Sequence, residues 1–282
     1  SYEIPVSVYQ PNLTLEEKWS YQGISQTKEM FESSIEEALE LELIVFPETA
    51  LIQSRKELGE WIQDINEASK RKDVSILTGI IARSADEKAN NLMRNRIIGL
   101  GSTSGSYDKQ QLVPFGEFIP LERFLGKLLD LMGLKLTSTV PGDQFSLIKS
   151  SILKISPSIC YEIAYAGLIN KTAVNSNILV TISNDTWFGS SIGPEQHLQL
   201  AKDRVLEHQK PLLRSTNSGI SAIIDHRGNI LGKQEYFEEK ILKAMVILQE
   251  GSTPYNYLGN SLLYLYIGII MVLSLFIKRN KV

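Results

Sequence analysis

Ile155-Ser156-Pro157-Ser158-Ile159-Cys160-Tyr161-Glu162 closes an apolar run on Cys160, the chain's only cysteine, and then turns polar. A short, mostly apolar segment followed at once by Tyr161-Glu162 reads as a buried strand that delivers a thiol at its exit. Two other segments share that design. Leu43-Ile44-Val45-Phe46-Pro47 leads to Glu48, and Tyr107-Asp108 leads to Lys109, in a segment that ends at Gly116-Glu117. A thiol is nucleophilic as its thiolate, so it needs a base and a cation nearby. A carboxylate, an ammonium and a thiol at three strand exits suit thiol-based acyl transfer.

Taken singly, each residue has a plainer reading. Cys160 also reads as a buried structural cysteine. Glu48 also reads as a loop or helix-start charge, and Lys109 and Glu117 as surface charges. A desolvated Glu48 suits a general base. Lys109 suits an oxyanion donor that also favours the thiolate, and Glu117 a partner for Lys109 or for a substrate amine.

Strand and helix patterns alternate around these positions. Strands are expected over residues 4–10, 42–46, 74–81, 93–100, 152–159, 178–183 and 240–249. A hairpin is expected from 220–224 to 230–232 across Asp225-His226-Arg227-Gly228. Helices are expected over 24–40, 55–72 and from Pro194 to just before Pro211, with a short amphipathic segment at 121–136. Strands that first alternate with helices and later form hairpins predict an α/β sandwich in one domain over residues 1–250.

Composition narrows the function. The 282 residues carry a net charge of −3, with 43% hydrophobic and 22% charged residues. These values give a sizeable core and no basic patch for nucleic acid. His197, His208 and His226 lack zinc-site spacing, and no Cys-x-x-Cys occurs, so no metal is expected. Gly101-Ser102-Thr103-Ser104-Gly105 matches neither a phosphate loop nor a nucleophile elbow, so no cofactor is expected either. Residues 258–277 hold no charge, with tyrosines toward one end and Lys278, Arg279 and Lys281 at the other. Such a segment reads as a membrane-spanning helix with a cytoplasmic tail at 278–282, and it places the preceding domain on the far side.

In the order Glu48, Lys109, Cys160, the chain resembles the nitrilase superfamily. Within that superfamily it resembles the apolipoprotein N-acyltransferases. The match rests on Val45-Phe46-Pro47-Glu48-Thr49-Ala50, on the segment from Leu112 to Glu122, on Ile159-Cys160-Tyr161-Glu162, on Ser183-Asn184-Asp185-Thr186-Trp187-Phe188-Gly189 and its continuation to Leu198, and on Pro211 to Ser221. The resemblance implies a nitrilase-like αββα sandwich followed by one C-terminal transmembrane helix. It also implies membrane helices ahead of the domain, a bacterial inner-membrane location with the catalytic domain periplasmic, and a monomeric enzyme. Cys160 would take an acyl chain from a phospholipid as a thioester and pass it to the α-amine of a diacylglyceryl-cysteine at a lipoprotein N-terminus. Glu48 would act as general base and acid, and Lys109 as oxyanion donor. Glu117, Glu162 and Tyr161 would support them, and Trp19 would meet lipid at the site mouth. Trp187, Phe188 and Arg214 match motif positions whose roles could be structural, and Glu195 departs from a frequent aromatic. Two rivals stand beside this reading. One is a tethered nitrilase-type amidohydrolase of a small amide, with water as second nucleophile. The other is a binding module with a dead site.

Overall fold

The structure, a computed structural model, describes residues 2–83, 93–114, 116–118, 139–189 and 191–279, residue 83 and the last five by backbone alone. The segment expected at 121–136 and the end of the expected tail, 280–282, lie outside the described residues.

Twelve strands are described. They are β1 Glu3–Gln10, β2 Leu43–Val45, β3 Ser75–Arg83, β4 Met93–Gly101, β5 Ser106–Asp108, β6 Ile148–Lys149, β7 Lys154–Ile159, β8 Ile178–Ser183, β9 Leu212–Thr216, β10 Ser221–Ile224, β11 Ile230–Gln234 and β12 Lys240–Ile247. They form two six-stranded sheets, ordered β12-β1-β2-β3-β4-β5 and β11-β10-β9-β8-β7-β6. The helices are α1 Leu15–Trp19, α2 Tyr21–Glu36, α3 Arg55–Arg71, α4 Ala166–Ala173, α5 Gly193–His208, α6 Pro254–Leu258 and α7 Ser261–Arg279.

Period-2 alternation builds the layers. Ile4, Val6 and Val8 of β1 face inward with Leu43 and Val45 of β2. They meet Ile178, Val180 and Ile182 of β8 and Leu213 of β9 in one core between the sheets. The opposite faces are just as apolar, because helices cover them. Tyr9, Ile44 and Ile76 pack under Phe31 of α2 and Ile62 of α3. Leu179 and Leu212 pack under Ile169 of α4 and Leu198 and Val205 of α5. Strands buried on both faces read as continuous apolar runs, and this gives the expected αββα sandwich.

Elements missed at the sequence level are short or polar. β5 and β6 are three and two residues long. In β9, Arg214, Ser215 and Thr216 are buried in polar contacts, so the strand lacks an apolar signature. The helix expected at 24–40 starts earlier, because Ser20 caps it by accepting from the Gly23 amide, and it ends at Glu36.

The C-terminal helix starts later than expected. Leu258 ends α6, and Gly259 at φ 51 breaks the chain before α7 begins at Ser261. Side chains of α7 are described only as far as Ser274. Among the described residues no helix is long and apolar enough to cross a membrane. The described side chains of α7 are apolar on every face, and those of Leu262–Ile267 and Ile269–Leu273 are exposed.

Candidate active site

The carboxyl ends of β2, β5, β7 and β8 lie on one side of the sandwich, and each is followed by a polar residue that turns into a shared cavity. That is where open α/β sheets place their ligands. The cavity, about 620 Å³, is lined by Glu48, Lys109, Glu117, Cys160, Tyr161 and Trp187, among others. Glu48 and Lys109 come from one sheet and Cys160 from the other, so the site lies across the join.

Glu48 is held at a close approach. The Gly79 amide donates to the Pro47 carbonyl at 3.2 Å, and the Leu51 amide donates to the Gly79 carbonyl at 3.1 Å. A Cβ on Gly79 would come within 2.8 Å of the Glu48 Cα and 2.4 Å of the Thr49 nitrogen, so only glycine fits. The Asn95 amide donates to Oε1 of Glu48, and the Asn184 backbone amide donates to Oε2 at 2.9 Å. Both oxygens are thereby fixed.

Lys109 is 2% exposed. Its Nζ donates to Glu117 Oε1 at 2.7 Å and lies 3.7 Å from Glu48 Oε1. The second Glu117 oxygen accepts from the Val113 amide at 2.8 Å, which ties the loop after Lys109 to its own ammonium. Burial works against the charge on Lys109, but Glu48, Cys160 and Glu117 outweigh it and hold its pKa above the ordinary lysine value.

Cys160 starts a 3₁₀ turn over Cys160–Ala164 with φ 55, a left-handed conformation uncommon for cysteine. The thiol is partly open to the cavity, yet its dense surroundings push its pKa up to about 12. Burial is the main cause and the Glu48 charge the second. Lys109 and the nearby Ser183 side chain act the other way. The resting group is therefore a neutral thiol.

Glu162 straps the two sheets together. Its Oε1 accepts from the Tyr107 hydroxyl at 3.0 Å and from the amides of Gln110 and Gln111 at 2.6 and 3.0 Å. Its Oε2 accepts from the Ile159 amide at 2.7 Å. One carboxylate thus fixes the peptides that follow Lys109 relative to the peptide that precedes Cys160. Burial raises its pKa against the pull of those amides. In Glu162→Gln an amide NH₂ would face one of these donors. That variant is expected to lose about 1–3 kcal/mol of stability, read by urea unfolding.

The structure thus brings Glu48, Lys109, Glu117, Cys160 and Tyr161 to one cavity, with Glu162 beneath them. Trp19 stands apart, 59% exposed. It borders an adjoining groove of about 600 Å³ that shares Thr49 and Glu117 with the cavity. Other residues complete the site: Asn95 and Asn184 around Glu48, and a buried group of Ser183, Asp185, His197 and Arg214 behind Cys160, of which all but Asn95 stand in the motif blocks without an assigned site role. The available signal was polarity in buried strands, since Ser183 and Arg214 interrupt the apolar runs of β8 and β9. Among the described residues no cluster of three or more His, Cys, Asp or Glu residues could hold a metal.

The carbon-nitrogen hydrolase family pattern matches residues 6–253. A protein of Photobacterium profundum named apolipoprotein N-acyltransferase is 33% identical over 99% of this chain and 55% of its own length. One of the same name from Pseudomonas paraeruginosa is 35% identical over 89% of this chain and 50% of its own length. The chain thus spans about half the length of the curated relatives it matches. Among solved structures, Saccharomyces cerevisiae Nit3, of the nitrilase superfamily, superposes with a TM-score of 0.64. It is 16% identical and covers 87% of this chain and 90% of Nit3. A carbon-nitrogen hydrolase from Helicobacter pylori gives the same score and coverage at 17% identity. The fold is nitrilase-like.

Proposed function

The chain belongs to the carbon-nitrogen hydrolase family, and from that premise we propose that it N-acylates the N-terminal diacylglyceryl-cysteine of bacterial lipoproteins, with a phospholipid as acyl donor. The observation that carries the reading is the convergence of Glu48, Lys109 and Cys160 on one cavity. The relatives' shared name and the motif blocks support the choice of substrate.

In the first step Glu48 takes the Cys160 proton as Sγ attacks the ester carbonyl. Lys109 donates to the oxyanion, and the C–O bond breaks as Glu48 returns the proton to the departing lysolipid alkoxide. The product is a Cys160 thioester. In the second step the lipoprotein amine attacks the thioester carbonyl, Glu48 takes the amine proton and passes it to the leaving thiolate, and an amide remains. A thiol pKa near 12 makes a base necessary, because little thiolate exists before the substrate arrives. Glu117 holds Lys109, Tyr161 lines the acyl path, and Trp19 meets lipid from the adjoining groove.

Residues 1–250 act as the catalytic domain, and α7 sits in lipid as an anchor at the inner membrane. The domain is periplasmic, residues 278–282 are cytoplasmic, and the protein works as a monomer. An exposed helix that is apolar on every face has no stable place in water, which supports the anchor. The deciding experiment is intact mass after incubation with phosphatidylethanolamine. A hydroxylamine-sensitive acyl adduct on Cys160 supports the reading. Hydrolysis of a small amide with no adduct from phospholipid would favour the amidohydrolase.

Glu48→Gln provides a test with two opposite signs. Acyl transfer is expected to fall about 10²–10⁴-fold as the base is lost. Iodoacetamide labelling of Cys160 at fixed pH is expected to rise, because a charge that raises the thiol pKa has gone.

A further inference from the structure

One buried network takes no part in the steps above. His197, near the start of α5, places Nδ1 3.0 Å from Arg214 Nη2 and Nε2 3.1 Å from the Cys160 carbonyl oxygen. A carbonyl oxygen only accepts, so Nε2 carries a hydrogen and donates it to the Cys160 carbonyl. Nδ1 lies between a donor, Arg214, and an acceptor, Asp185. Burial and the Arg214 charge push the pKa of the ring down, against Asp185 and the Cys160 carbonyl, which act the other way. Asp185 Oδ1, 3.1 Å from Nδ1, takes its hydrogen bond from the Ser183 hydroxyl, and Oδ2 takes one from Arg214. Arg214 thus gives to Asp185, both hold the Nδ1 side of the ring, and the Nε2 side gives to Cys160. Arg214, His197 and Asp185 are 0, 2 and 4% exposed, so water does not compete for these bonds. They end on a residue whose φ of 55 persists only where its surroundings impose it.

We propose that His197 is a positioning residue: its Nε2–H grips the Cys160 carbonyl and so holds the left-handed peptide that aims Sγ at the substrate carbonyl carbon. Asp185 and Arg214, packed against Nδ1, hold the ring in the orientation that can do this. The inference rests on the reading of Cys160 as the nucleophile.

Two substitutions of similar volume separate positioning from packing. Asparagine ends near the place of Nδ1, so His197→Asn keeps an acceptor for Arg214 and loses the donor to Cys160. Glutamine reaches the place of Nε2, so His197→Gln keeps that donor. In transfer from phosphatidylethanolamine to a synthetic diacylglyceryl-cysteine peptide, His197→Asn is expected to lower kcat on the order of 10²-fold with KM little changed. His197→Gln is expected to recover most of the loss. Equal activity in the two variants overturns the proposal, as does a loss confined to KM. The pH profile of Cys160 alkylation by iodoacetamide gives a second readout that needs no lipid. It is expected to move in the Asn variant, as Sγ shifts relative to Lys109 and Glu48, and to stay in place in the Gln variant. An unmoved profile in His197→Asn overturns the proposal even if the parent proves inactive on phospholipid, an outcome that would separately sink the proposed function. If only the Gln variant folds, an alkylation profile unlike the parent's overturns it.

Discussion

Cys160→Ser is expected to abolish acyl transfer, with a loss of at least about 10⁴-fold and no hydroxylamine-sensitive adduct. A serine hydroxyl is far less acidic than the thiol, and the same surroundings that push the thiol up to about 12 would oppose an alkoxide still more. The fold is expected to survive, since sulfur and oxygen differ by little in volume and the Cys160 backbone is held by its neighbours. Thermal unfolding within a few degrees of the parent, together with a dead enzyme, is the expected pair of results. Appreciable transfer by the serine variant would remove the thioester from the mechanism.

Lys109→Met is expected to have the second-largest effect, and it acts on stability as well as activity. Its Nζ bonds to Glu117 and lies close to Glu48, and the ammonium itself is buried. Removing this cation leaves two carboxylates facing each other, an uncompensated arrangement that costs about 3–5 kcal/mol. Loss of the oxyanion donor lowers kcat a further 10²–10³-fold or so. Arginine is not expected to rescue the variant, because a planar fork does not fit where a compact ammonium sits between two carboxylates. The pH dependence has a definite sign. The folded pKa of Lys109 lies above its unfolded value, so its contribution is complete below about pH 10.4 and is lost as pH rises through the folded pKa. The stability gap between parent and variant should therefore be full at neutral pH and shrink only in strong alkali. A gap that closed near neutrality would show that Lys109 is not charged as described.

What could be read in advance followed burial. Leu43-Ile44-Val45 and Ile178-Leu179-Val180 have apolar side chains on both faces, so their strands and the helix layers over them were legible from the chain alone. Glu48 and Cys160 were legible because each closes such a run, whereas Lys109 follows a Gly- and Ser-rich turn and stood out by its place in the Glu, Lys, Cys order. The roles of Arg214 and His197 were not legible, although both stand in the motif blocks. Periodicity treats a charged or polar residue as a surface signal, whereas here a carboxylate and a carbonyl compensate them inside the protein. The break between Leu258 and Ser261 was hidden for a different reason: hydropathy sums over residues and does not register that Gly259 adopts a positive φ.

The pairing of Glu3 with Ile247 and of Gln10 with Lys240 has a consequence in time. A ribosome making about 5–20 residues each second delivers β12 tens of seconds after β1. Throughout that interval one margin of β1 has no neighbour, and a bare strand margin recruits whatever extended peptide is near. The last strand is thus a late seal on the earliest one. A chain halted before residue 240 is left with an adhesive edge, so incomplete copies of this protein are bound for aggregation or proteolysis rather than for a dormant pool.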